Sequence, residues 1–127
     1  MRHLKLALTM LVAWVVINCG AGHPNLASIT VTPQEATTTS TPQGQVGYIA
    51  TGNFTNNTSR QLSPVDGLSW KTSTTAASIG STGKATCLAS GDVTVTASAP
   101  ENLQITVNNG VQNTASTVSG TATLTCQ

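Results

Sequence analysis

This sequence has very little charge. Asp, Glu, Lys and Arg make up 7% of its 127 residues, against about a quarter in an ordinary soluble protein. A surface so poor in ions offers no electrostatic footprint for nucleic acid or for anionic lipid. Aromatic residues are also scarce, at 3%, so a core must come from Val, Ile, Leu, Ala and the methyl groups of Thr. No stretch keeps a 3.6-residue apolar period beyond the first residues, which argues against a helical body. Histidine occurs twice, as His3 and His23, both at the N-terminal end, so a histidine metal site has no second ligand in the body. No "DxDxDG"-like run suggests calcium. The acidic residues Glu35, Asp66, Asp92 and Glu101 fall in separate apparent turns. Hydrolysis of sugars needs two carboxylates facing one another. The glycines are spaced as turns rather than as a phosphate cradle. These absences point to a protein with no catalytic constellation and no cofactor.

What is present begins with a leader. "MRHLKLALTMLVAWVVINCGAG" has a positive start at Arg2 and Lys5 and an apolar run from Leu6 to Ile17. That run has the length of a signal-peptide core and falls short of the ~20 residues a spanning helix needs. Residues 1–21 therefore read as an export signal, residues 22–26 as a short tether and residues 27–127 as one extracytoplasmic domain. Cys19 directly follows the apolar run, a placement similar to a bacterial lipoprotein signal, in which the cysteine carries the lipid. Asn18 stands where that pattern takes a small residue. Two outcomes stay open: lipidation at Cys19, the only membrane contact expected, or cleavage after Ala21.

From Ala27 onward the pattern is strand and turn. "SITVTP" puts Ile29 and Val31 on one face. "QEATTTSTPQGQ" reads as a connection crossing between sheets. "VGYIATGNF" alternates, "NNTSRQLSPVDG" is a polar loop, and "LSWKTS" places Leu68 and Trp70 together. "GKATCLASGDVTVTAS" reads as two strands joined at Gly91 in a hairpin. "LQITVNNG" alternates and ends in a turn signal, and "VSGTATLTC" keeps Val118, Ala122, Leu124 and Cys126 in step. β-Branched Thr and Val favour pleated backbone. About seven short strands predict an all-β, immunoglobulin-like β-sandwich, with a closed barrel as the structural alternative.

The order of these segments resembles the group 2 bacterial immunoglobulin-like domain. "SITVTP" is similar to its opening strand, "YIATGNFTNNTSRQL" to its strand with a Gly-aromatic step, and "LSWKTS" to its tryptophan strand. "AASIGSTG", "GKATCLASGDVTVTAS" and "GTATLTC" resemble the segments that follow. The resemblance covers nearly all of residues 27–127. It departs at "PENLQITVNNGVQNTAST" and at the cysteines, which the family generally lacks. The family is usually a module of surface adhesins and secreted enzymes. The resemblance implies a non-enzymatic structural or binding module at the bacterial cell envelope, cell adhesion included, with an unknown protein or glycan as partner. A carbohydrate-binding module is the alternative.

Cys87 and Cys126 are the cysteines of the body. In an exported chain they are expected to pair, closing a loop of about forty residues for roughly 3–4 kcal/mol by loop-closure entropy. Two buried thiols are the competing reading. Trp70, with Tyr48 and Phe54, sits at an inward-compatible position, which favours a core role; an exposed sugar-stacking platform is the other possibility. The segments Asn53–Ser63 and Asn108–Ser116 are candidate binding loops.

Overall fold

The computed structural model describes residues 24–103 and 116–127. It contains ten strands: β1 (Leu26–Thr32), β2 (Glu35–Thr38), β3 (Gln45–Gly47), β4 (Ile49–Phe54), β5 (Ser59–Gln61), β6 (Ser69–Thr72), β7 (Ala77–Ile79), β8 (Lys84–Cys87), β9 (Gly91–Pro100) and β10 (Thr117–Cys126). One 3-10 turn, Pro64–Asp66, lies between β5 and β6. There is no α-helix among the described residues.

The strands form an all-β sandwich. One layer has the order β2-β10-β9-β6. The other is built from β1-β4-β5 and β3-β8-β7, joined because β3 and β4 are one run interrupted at Tyr48. Along that run the backbone ladder passes from β8 to β5. The Tyr48 N–H donates to the Gly83 carbonyl at 2.8 Å, and the Leu62 N–H donates to the Ala50 carbonyl at 2.8 Å. Thus β8 and β5 lie end to end beside a single long strand.

The strand count exceeds the seven predicted, for identifiable reasons. Pro33, which has no N–H to offer a ladder, separates β1 from β2. β1 pairs antiparallel with β4, whereas β2 pairs parallel with β10. The Thr-rich connection therefore begins as a strand, and the crossing from β2 back to the layer of β1 and β3 takes only residues 39–44. β5 forms inside the segment read as a polar loop. The expected hairpin around Gly91 is not one: β8 pairs with β3 and β7, while β9 pairs with β10 and β6. Residues 88–90 carry the chain from one layer to the other. Alternation cannot separate these cases, because Ala85 and Cys87 of β8 and Val93, Val95 and Ala97 of β9 all face the same interior from opposite sides. Glu35 and Asp92, read as turn residues, lie in β2 and β9.

The folded unit starts earlier than Ala27. Leu26, assigned to the tether from sequence, opens β1 and is 2% exposed. Its N–H donates to the Glu101 carbonyl at 2.8 Å, and the Thr55 N–H donates to the Asn25 carbonyl at 3.0 Å. The strand expected over Leu103–Val107 lies outside the described residues except for Leu103. The export signal, Cys19 and most of Asn108–Ser116 also lie outside them.

The core is made of small residues. Val31, Val93, Val95, Ala85, Ala97, Cys87 and Leu124 are essentially inaccessible to solvent. Tyr48 spans the interior, and its hydroxyl lies 3.4 Å from the Thr123 carbonyl of the opposite layer. Burial pushes the Tyr48 phenol above its usual range. Small side chains contribute little each, at about 25 cal/mol per Å² of apolar surface buried, so a covalent link between the layers carries weight.

Candidate binding cleft

The two layers meet differently along their two flanks. On one flank β1 packs against β10 with backbone nearly touching backbone. A Cβ at position 120 would fall on the Ile29 carbonyl, so glycine is what allows the approach. Farther along, β2 faces β3, and a Cβ at Gly44 would fall on the Thr38 side chain. On the opposite flank β6 and β7 are the terminal strands of their layers. A cleft of about 540 Å³ lies between them. Trp70, Ala77, Ile79 and Leu88 supply apolar surface, the hydroxyl residues Thr72 to Thr75 and Ser78 line the remainder, and Lys71 is the charged group.

The backbone of both edges is turned away from the neighbouring strand of its own layer at alternate residues. The Ser73 N–H donates to the Thr94 carbonyl at 3.0 Å. In the register Trp70↔Ala97 and Thr72↔Val95, antiparallel alternation turns the amide and carbonyl of Trp70 and Thr72 away from β9. On the facing strand the Gly80 N–H bonds the Lys84 carbonyl, and the Leu88 N–H bonds the Ala76 carbonyl. The same alternation turns the backbone of Ala77 and Ile79 away from β8. A direct link crosses the cleft where the Thr72 hydroxyl donates to the Ala77 carbonyl at 3.1 Å.

Trp70 has two roles here. It is half-buried and packs against the core cluster, with its ring centroid 6.4 Å from that of Tyr48 at an angle of 45°. Its other surface lines the cleft. The indole Nε1 is buried with no hydrogen-bond partner among the described residues, so the ring presents apolar surface to the cleft.

Cys87 and Cys126 are joined, with Cα atoms 5.7 Å apart. Both are buried, at 0% and 3% exposure. The bond ties β8 to β10, and so one layer to the other, near the end where the chain reaches Gln127. A disulfide belongs to an oxidising compartment. No helix among the described residues is long and apolar enough to cross a membrane.

The remaining candidates are dispersed. No group of three or more His, Cys, Asp or Glu that could hold a metal occurs among the described residues. Asp66 is bound by Arg60 through two bonds of 2.9 and 3.0 Å and by the Ser63 N–H at 2.9 Å. The Arg60 guanidinium, helped by that N–H, holds the Asp66 carboxyl below its usual range. Arg60 also lies over the Phe54 ring, 5.5 Å from its centroid. The Asn53–Ser63 segment lies at the same pole as Asn25 and Glu101. The cleft, lined by Thr74, Thr75 and Leu88, opens toward the other pole, where Leu88 bonds Ala76 and Ser40 bonds Gln127. Sequence reasoning identified Trp70 but not the cleft. The one available signal was Leu88, an apolar residue out of step with its strand.

No protein-family profile matches this chain, and no curated protein is similar to it in sequence.

Proposed function

We propose that the chain is a non-enzymatic, exported, immunoglobulin-like structural and binding module of the bacterial cell envelope, with the β6–β7 cleft as its binding surface. The observation that carries this reading is a cleft between two sheet edges, β6 and β7, that pair with no further strand among the described residues, in a sandwich whose layers are joined by a buried disulfide. The strand order supports the immunoglobulin-like assignment. β1, the β3–β4 run, β8 and β7 take the places of strands A, B, E and D, and β6, β9 and β10 take those of C, F and G. The separation of Glu35, Asp66, Asp92 and Glu101 supports a role without turnover. Anchoring through Cys19 would leave the cleft end facing outward, because the described chain enters at the opposite pole.

Fractionation of cells producing the full chain tests this reading. The expected result is an envelope-associated protein without free thiols at Cys87 and Cys126, with a diacylated Cys19 at its mature N-terminus. Retention in the cytoplasm with both thiols free would overturn it; a start at Gly22 would replace anchoring by secretion. Carbohydrate binding is the second reading, favoured by the Trp70 ring beside a hydroxyl-lined cleft. A glycan array with Trp70→Ala separates it from protein binding.

A further inference from the structure

We propose that the β6 edge accepts an extended strand from a partner protein, one that places a carboxylate beside Lys71 between two apolar residues. This deepens the binding-module reading and rests on it.

Three observations carry the proposal. First, the outward-facing backbone groups of Trp70 and Thr72 stand one strand repeat apart, about 6.6–6.8 Å. An extended polypeptide presents donors and acceptors at that same repeat, and strand addition is satisfied by backbone pairing of this kind. An oligosaccharide would have to be held by side-chain hydroxyls, and the Thr72 hydroxyl nearest Trp70 is already given to the Ala77 carbonyl.

Second, the alternation of β6 dictates the alternation of the guest. Partner residues opposite Trp70 and Thr72 would turn their side chains to the inner side, toward Ala77, Ile79 and Leu88. Those positions suit apolar residues. The residue between them would lie beside Lys71 on the solvent face, where directly opposed charges of unlike sign stabilise a strand pair. Lys71 is exposed and is the charged group of the cleft.

Third, charge argues against a second copy as the guest. The antiparallel register that uses both Trp70 and Thr72 of each copy is centred on Lys71. It would set two ammonium groups face to face, which is how edge strands resist self-pairing. A carboxylate in place of the second lysine turns that repulsion into attraction.

Amide hydrogen exchange on the oxidised protein tests the proposal, with the blocked peptides TVEVT and TVKVT as probes. In the free protein the Trp70 and Thr72 amides should exchange quickly while that of Lys71 is protected. Saturating TVEVT should slow exchange at Trp70 and Thr72 by roughly tenfold or more, and TVKVT should not. The variant Lys71→Glu should reverse that preference, which a loss of fold would not do. Protection at Trp70 and Thr72 without peptide overturns the proposal. It would mean that a second copy covers the edge if it rises with protein concentration, or that the chain's own segment does if it does not. No protection by either peptide also overturns it. If an oligosaccharide panel protects the cleft where the peptides fail, strand addition is refuted while the binding-module reading stands.

Discussion

The two flanks of the sandwich solve the same problem in opposite ways. Where β1 meets β10, a glycine removes the side chain and the layers close backbone to backbone. Where β6 meets β7, side chains as large as Trp70 and Ile79 line a cleft of about 540 Å³. The closed flank favours stability, and the open flank leaves backbone hydrogen-bonding capacity unused among the described residues. An exposed sheet edge is a hazard that proteins normally blunt. Here a lysine in a four-residue strand does the blunting, which leaves the edge selective rather than inert.

The comparison can be broken most forcefully at the disulfide. Its sequence separation is 39 residues, so replacing both Cys87 and Cys126 by Ala should cost about 4 kcal/mol by loop-closure entropy. Denaturant titration checks this. A loss under about 1 kcal/mol would show that the layers hold without their staple. Next comes Gly120→Ala, which would drive a Cβ into the Ile29 carbonyl and should cost about 2 kcal/mol as the strands part. A neutral result would mean that the closed flank is not closed by backbone contact.

Smaller effects sharpen the contrast. Asp66→Asn removes the ion pair to a half-exposed Arg60 and should cost no more than about 1 kcal/mol. The same group gives a pH dependence. Its folded pKa is depressed, so its contribution is fully present above the unfolded value near 3.9. That contribution is lost as the pH falls through the folded value. Stability of the wild type should therefore decline in that acid range more steeply than that of Asp66→Asn. The smallest effect belongs to the open flank. Leu88 is 46% exposed, and Leu88→Ser should change stability by less than about 0.5 kcal/mol. A drop matching that of Gly120→Ala would place Leu88 in the core and remove the distinction between the flanks.

Much of the layer structure was legible in the chain. Val93, Val95, Ala97, Ala122 and Leu124 alternate with polar residues, and all are buried. The cysteine pairing followed from there being two cysteines in the body of a chain read as exported. Sequence could not distinguish a hairpin from a crossing at residues 88–90, because a strand carries the same alternation whichever layer it joins. Leu26 was read as tether because nothing local distinguishes it from a linker leucine; its place in β1 comes from pairing with the distant Phe54. The cleft was illegible for a related reason. It exists because β6 and β7 happen to end their layers, a property of which strands pair across the whole chain rather than of any stretch of residues. Trp70 illustrates the limit: its position in the pattern marked it as inward, while its place on an edge strand gave it a second, outward surface.

The position of the disulfide has a mechanical consequence. Cys126 is the last residue of β10, one step before Gln127. A tug on the C-terminal end is passed through the sulfur bridge to β8 in the opposite layer before it can unzip β10 from β2 or β9. β10 cannot be peeled from its Cys126 end without also loading β8 and its ladders to β3 and β7.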